Sequence, residues 1–142
     1  MSTLPESTHR LFTEPKDVTI ITIDPDGSPQ ASLVWADRDG DDILIGVEDK
    51  HRKTRNLRRD PRVTLVVQDD RLSPRGLTQY LVIRGTVKLE GPGIPQEYKA
   101  LMDRESRRYL GRDEFPYGDG VFAGAMIARV TVDRVGGEGP WT

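Results

Sequence analysis

The chain has 142 residues, with 21 Lys and Arg residues against 23 Asp and Glu residues and a net charge of −2. It contains no cysteine, which excludes disulfides, thiolate nucleophiles and cysteine-bound metals or iron–sulfur clusters. This length corresponds to one ordinary domain, so we expect a single domain over residues 1–142, with flexible ends at 1–8 and 136–142.

Hydropathy excludes most membrane-bound classes. No segment approaches the ~20 consecutive apolar residues of a membrane-spanning helix. The N-terminal residues MSTLPESTHRLF contain acids and a proline where a secretion signal has basic residues followed by an apolar run. We therefore expect a cytoplasmic protein that does not bind a membrane.

The first half of the chain predicts an antiparallel meander. The run VTIITI at Val18–Ile23 is almost entirely β-branched, which favours a strand. The turn formers DPDGSP follow, and a second strand is predicted over residues 30–36. A similar turn, DRDGDD, precedes a third strand over residues 43–47.

The second half adds two helices and three strands. A short basic helix over residues 53–60 ends before Pro61, because proline disfavours helical geometry in the residue before it. Strands over residues 63–68 and 80–89 flank a polar loop, and an amphipathic helix is predicted over residues 95–110. A closing strand is predicted within residues 121–135. Six antiparallel strands with few helices indicate a mainly β protein, a barrel.

The segment over residues 50–62, KHRKTRNLRRDPR, carries seven Lys or Arg residues and His51 in an otherwise slightly acidic protein. It begins where a strand ends and a helix starts, so backbone N–H groups and the helix dipole would add to Arg52, Lys53 and Thr54. This pattern indicates a phosphate site. A solvated helix face would explain the charge but not its placement. Nucleic-acid binding is disfavoured because the segment lacks interleaved aromatic residues.

Three motifs resemble a known family. They are GSPQASLVW at residues 27–35, KTRNLRRDPRV at 53–63 and RGTVKL at 84–89. Together they are similar to the flavin-binding split β-barrel family related to pyridoxamine 5′-phosphate oxidase, particularly its actinobacterial deazaflavin-dependent branch. The resemblance implies a six-stranded antiparallel split β-barrel and a homodimer with two cofactor sites between the subunits.

The resemblance also implies which residues contact the cofactor. The residues expected to hold its phosphate are His51, Arg52, Lys53, Thr54 and Arg55. The second strand would lie along the cofactor ring through Ser32, Val34 and Trp35, although a core position is favoured for Trp35 because burial of an aromatic side chain stabilises a small barrel. Gln79 and Tyr80 of the partner subunit would cover the ring or the substrate.

The resemblance leaves two cofactors open. The segment has more arginines than one phosphate needs, at positions 55, 58, 59 and 62. They favour coenzyme F420 over FMN, because this deazaflavin has an additional acidic tail. Pyridoxamine-phosphate oxidase activity is disfavoured because residues 30–36 carry no arginine and the C-terminus no basic motif.

The function expected is hydride transfer from coenzyme F420 to a small organic electrophile. No catalytic side chain is identified, and no metal site is expected because the clustered aspartates lie in turns. An FMN-dependent oxidoreductase of the same fold and a non-catalytic flavin carrier remain as alternatives.

Overall fold

The computed structural model describes residues 3–117 and 122–142. In this part of the chain, two α-helices are present, α1 (Arg52–Arg59) and α2 (Pro95–Tyr109), with 3-10 helices over Glu6–Phe12 and Phe122–Gly124. The strands are β1 (Val18–Ile23), β2 (Pro29–Val34), β3 (Asp37–Asp39), β4 (Asp42–Glu48), β5 (Arg62–Leu72), β6 (Thr78–Glu90) and β7 (Ala125–Glu138).

The strands form one antiparallel sheet in the order β2-β1-β5-β6-β7-β4-β3. The mainly β, antiparallel prediction is confirmed, but the count of six strands is wrong. The additional strand is β3. Its residues belong to a polar sequence typical of a turn, but pairing with β4 holds them extended, and Asp37 lies opposite Leu44. The edge strands β2 and β3 do not pair, so hydrogen bonds do not close the sheet within the described residues.

The sheet curls around a single core. β1 and β4 are separated by three intervening strands, yet Ile20 on β1 and Ile45 on β4 belong to the same buried cluster. Alternate residues of β5, β6 and β7 complete this cluster, and Leu57 of α1 packs against it. The period of two along each strand therefore places every second side chain inside the curl.

Helix α2 packs against the outer face of the same sheet. Leu101 and Met102 form a second buried cluster with Leu44 of β4 and Ile127 of β7. These two strand residues alternate with the inward-facing residues of their strands, because successive side chains point to opposite faces. The outer face of the β4–β7 region is therefore covered by α2.

Both ends of the described chain pack on the core. Leu4 and Trp141 are members of the main buried cluster, and the Trp141 indole Nε1–H donates to the Tyr80 carbonyl at 3.2 Å. The polar connection expected at residues 69–78 is shorter than predicted, because β5 continues to Leu72 and β6 begins at Thr78. Met1, Ser2 and Val121, where the predicted closing strand begins, lie outside the described residues.

Among the described residues, no helix combines the length and the apolar composition needed to cross a lipid bilayer.

Candidate functional site

A cavity of about 450 Å³ lies between helix α2, the end of β2 and the start of α1. Its volume falls in the range typical of small-molecule sites. It is bordered by residues from six parts of the chain: Asp17, Leu33, Val34, Trp35, Gly46, His51, Lys53, Met102, Glu105, Leu110, Phe115 and Tyr117. The sequence predicted four of these as cofactor contacts, namely Val34, Trp35, His51 and Lys53.

One wall of the cavity is aromatic. The Trp35 ring stacks on Tyr109 with centroids 4.9 Å apart, and Phe115 meets Trp35 edge-on at 6.1 Å. Tyr117 in turn contacts Phe115 at 5.7 Å. Trp35 packs on Tyr109 of α2 and also borders the cavity, so its position is compatible both with structural packing and with contact to a ligand. Such a wall suits a planar, largely apolar ligand.

The polar side of the cavity contains His51 and Lys53. The Glu48 backbone N–H donates to His51 Nδ1 at 3.2 Å, and His51 Nε2 lies 2.9 Å from a Glu48 carboxylate oxygen. Burial and the neighbouring Lys53 charge lower the pKa of His51. The imidazole is therefore neutral at pH 7, with Nε2–H as its donor.

Lys53 is a partly buried cation. Its ammonium has no hydrogen bond or ion pair within the part of the chain that the structure describes, and burial lowers its pKa. The charge of Glu48 opposes this shift, but no carboxylate of the described chain lies within ion-pair distance of Lys53, and a half-buried ammonium loses hydration that a bound anion restores. Lys53 is therefore the residue of this cavity best suited to hold a phosphate.

Arg52 points elsewhere. Its guanidinium forms two hydrogen bonds with the Asp24 carboxylate, at 2.9 and 2.6 Å, and Asn56 donates to the same carboxylate at 3.0 Å. The hydrogen bonds from Asn56 and Arg52 lower the pKa of Asp24. Arg52 thus ties the start of α1 to the β1–β2 turn, and it does not border the cavity.

Thr54 and Arg55 also lie away from the cavity lining. Thr54 is fully buried, and its hydroxyl donates to the Glu48 carbonyl at 2.6 Å. Arg55 is exposed and donates to the Lys50 carbonyl at 2.7 Å. In this conformation both residues stabilise the loop between β4 and α1.

The remaining arginines of the basic segment are engaged within the chain. Arg58 pairs with Asp49, Arg59 donates to the Ile23 carbonyl, and Arg62 forms two hydrogen bonds with Asp60 at 3.0 and 2.8 Å. Arg58, Arg59 and Arg62 are therefore not an unpaired surplus available to an acidic tail in this conformation.

The three other predicted contacts have different surroundings. Ser32 is partly buried, and its hydroxyl has no hydrogen-bond partner among the described residues. Gln79 is buried and donates to Asp69 at 3.1 Å. Tyr80 lies half-exposed in a separate surface depression with Leu77 and Glu138. This chain therefore does not bring Gln79 or Tyr80 to its own cavity.

Glu105 borders the cavity, although no motif in the sequence points to it. It is 0% exposed, and burial raises its pKa to about 8. A signal was present, because Glu105 follows Leu101 by four positions and Met102 by three and so lies on the apolar face of α2. An acidic residue on such a face departs from the amphipathic pattern.

With this geometry established, comparison with known proteins identifies the family. The model of the pyridoxamine 5′-phosphate oxidase family matches residues 4–136. The chain belongs to this family. The pyridoxamine 5′-phosphate oxidase family includes flavin-related oxidoreductases, and the match covers β1 to β6, all but the last two residues of β7, both α-helices and the whole cavity lining.

Solved structures agree with the family assignment. An F420 reductase is 27% identical over 94% of this chain and 98% of its own, with a TM-score of 0.73. Two others show the shared fold. A conserved hypothetical protein from Mycobacterium tuberculosis has 22% identity and a TM-score of 0.74, over 93% of this chain and 82% of its own. General Stress Protein 26 from Bacillus anthracis has 12% identity and a TM-score of 0.66, over 93% and 91%.

Proposed function

We propose that this protein is an oxidoreductase that binds coenzyme F420 at the interface of a homodimer and transfers hydride to a small organic electrophile. The observation that carries the proposal is Lys53, a cation without an ionic partner in the described chain, at the polar side of an aromatic-walled cavity. A ligand with a planar ring and a phosphate complements both features.

The residues present fit a cofactor of this class. Lys53 would hold the phosphate, and the neutral His51 would donate a hydrogen bond beside it. Trp35 and Phe115 would pack against the ring and exclude water. When bound in its reduced form, the deazaflavin supplies the hydride, so the protein needs to orient ring and substrate rather than to provide a nucleophile.

The homodimer would complete the site. Leu33 on the edge strand β2 is 68% exposed, and Leu72, Leu77 and Tyr80 at the β5–β6 hairpin are also exposed. Exposed apolar side chains at a sheet edge and hairpin are suited to a subunit interface. In the proposed dimer, Tyr80 reaches the cavity of the other subunit, which would explain why it lies outside its own. Gln79 is buried and bound to Asp69, so it would support this segment rather than contact the ligand.

The choice of coenzyme F420 over FMN rests on the F420 reductase, which is similar to this chain over nearly its whole length. The arginines of α1 contribute less to this choice, because most of them are paired within the chain. An FMN-dependent oxidoreductase and a carrier without turnover remain the competing functions.

Fluorescence titration of the purified protein with coenzyme F420 and with FMN tests the proposal. We expect tighter binding of coenzyme F420 and oxidation of its reduced form on addition of a quinone or an enone. Tighter FMN binding would favour the FMN-dependent alternative, and binding without substrate-dependent oxidation would favour a carrier. Salt-sensitive binding of DNA or RNA without binding of either cofactor would reject all three.

A further inference from the structure

Glu105 is a buried carboxyl group in the cavity wall. Neither of its carboxylate oxygens has a hydrogen-bond partner among the described residues, although the side chain is 0% exposed. A buried polar group without a partner is costly, and native structures seldom retain one without a role. Glu105 borders the cavity, so a ligand bound there can supply the missing partner once the side chain turns its carboxyl group toward that volume.

Nearby cations do not satisfy Glu105. Arg104 and Arg108, on the same helix, both bind Asp37 of β3, at 2.9 and 3.2 Å, and Arg108 also donates to the Ala36 carbonyl. The Tyr109 hydroxyl donates to the Lys16 carbonyl at 2.6 Å. Tyr98 completes the charged and titratable groups around Glu105 on its own helix.

The other titratable residues that border the same cavity are Asp17, His51, Lys53 and Tyr117. His51 is neutral at pH 7, and Lys53 carries a positive charge. Neither forms a hydrogen bond with Glu105. Burial outweighs the charges of Arg108 and Arg104, which act to lower the pKa of Glu105, and raises that pKa to about 8, so Glu105 holds its proton at neutral pH.

A protonated carboxyl group presents one O–H donor and one C=O acceptor side by side. This pair complements a cyclic amide or imide, in which an N–H donor adjoins a C=O acceptor. A cationic ligand group would be repelled by Lys53 and attracted by Asp17, and a neutral Glu105 would offer it no compensating charge.

We propose that Glu105 is a binding residue that, as a neutral acid, forms paired hydrogen bonds with an uncharged amide or imide edge of the ligand in this cavity. The inference rests on the proposed function, because the pyrimidine portion of flavins and deazaflavins carries such an edge. It adds a side chain from α2 to a site otherwise assigned to β2 and α1.

Two variants separate the hydrogen bonds from the titration. E105Q keeps the size of the side chain and one donor with one acceptor but removes the ionisable proton. E105L removes both hydrogen-bonding groups and replaces them with an apolar side chain. Replacement of an unpaired buried carboxyl by leucine should not reduce thermal stability, which would distinguish a ligand-binding residue from a structural one.

The probes are coenzyme F420 and FMN, titrated from pH 6 to pH 9.5. For the wild type we expect the Kd to rise above pH 8, by up to about tenfold per pH unit, as Glu105 ionises. E105Q should bind within about threefold of the wild type at pH 6 and show a weaker pH dependence. E105L should bind at least about tenfold more weakly at pH 6. Loss of the Lys53 charge at high pH should raise the Kd equally in the wild type and in E105Q, so it does not affect the comparison.

Each outcome decides one of the two proposals. If the wild type binds neither probe, the proposed function is wrong. If the wild type binds but E105Q shows the same pH profile, or folded E105L binds as tightly as the wild type, only the role of Glu105 is rejected. If E105L does not fold, the comparison of the wild type with E105Q decides.

Discussion

Trp35 and Tyr109 stack with their ring centroids 4.9 Å apart and their planes within 5°. This contact joins the residue after β2 to the last residue of α2. The Tyr109 hydroxyl extends the connection, because it donates to the Lys16 carbonyl at 2.6 Å and accepts from the Ala36 N–H at 3.3 Å. The position of the aromatic cavity wall is thus fixed by one tyrosine.

Tyr109→Phe should lower the free energy of unfolding by about 1–3 kcal/mol, because two backbone groups lose a partner while the ring stack is kept. Urea denaturation measures the change. Tyr117→Phe is the matched control, since Tyr117 is 67% exposed and its hydroxyl has no partner in the described chain. Equal effects of the two substitutions would contradict the role assigned to the Tyr109 hydroxyl.

Lys53→Ala should weaken cofactor binding by about ten- to a hundredfold, the range of a lost charge-assisted hydrogen bond. Folding should be unaffected, because the Lys53 ammonium has no ionic partner in the described residues. Isothermal titration with coenzyme F420 measures the affinity. Lys88→Ala on the exposed side of β6 is the control. If Lys53→Ala binds the cofactor as tightly as the wild type, Lys53 does not hold the phosphate.

Compared with Lys53→Ala, Arg52→Ala should affect stability more and cofactor affinity less. The Arg52 side chain is 61% exposed, so loss of its pairing with Asp24 should cost only about 0.5–1 kcal/mol of stability. Cofactor affinity should fall less than in Lys53→Ala, because Arg52 does not border the cavity. A larger loss of affinity in Arg52→Ala than in Lys53→Ala would assign the phosphate to Arg52 instead.

Arg10 and Asp69 join the 3-10 helix at the N-terminus to β5 through two hydrogen bonds, at 3.1 and 2.5 Å. The Asp69 side chain is fully buried, but it keeps the Lys16 ammonium at 3.6 Å and the Gln79 amide as partners, so Arg10→Ala should cost about 1–3 kcal/mol at pH 7. Arg71→Ala, an exposed arginine nearby in sequence, is the control and should be neutral.

The pH dependence of this pair has a definite sign. Burial acts to raise the pKa of Asp69, but hydrogen bonds from Arg10 and Gln79 outweigh it and lower the pKa below the ordinary 3.8. The pair therefore stabilises the fold above pH 3.8, and this contribution is lost as pH falls through the lowered value. Urea denaturation at several acidic pH values should show the difference between wild type and Arg10→Ala shrinking below pH 4.

The contribution of Glu105 to stability changes with pH in the opposite direction. Its pKa in the folded protein is about 8 against an ordinary 4.5, so folding favours its protonated form. Stability should decline as pH rises from 4.5 to 8, by at most a few kcal/mol, since each pKa unit corresponds to about 1.4 kcal/mol. Urea denaturation of wild type and E105Q at matched pH measures it. Parallel pH profiles for the two proteins would show that Glu105 is ionised when folded.

Local sequence signals located the strands and helices that carry the site. The β-branched run at Val18–Ile23 coincides with β1, and the short basic helix before Pro61 is α1, shifted by one residue. The strand β3 was missed because its residues, DRD, have no strand preference of their own and are extended only by pairing with β4. Hydrogen bonding between distant segments overrides weak local preference.

The sequence by itself determined the antiparallel β class, the family resemblance, and the concentration of cations at the start of α1, because periodicity, turn residues and charge are local properties. Only the tertiary structure decided which of those cations face the cavity. Arg52 is paired with Asp24, which lies 28 positions earlier, whereas Lys53 is left without an ionic partner in the described chain. The tertiary structure also places Glu105 of α2 at the same cavity as Trp35. These outcomes depend on contacts between remote segments, which spacing along the chain does not specify.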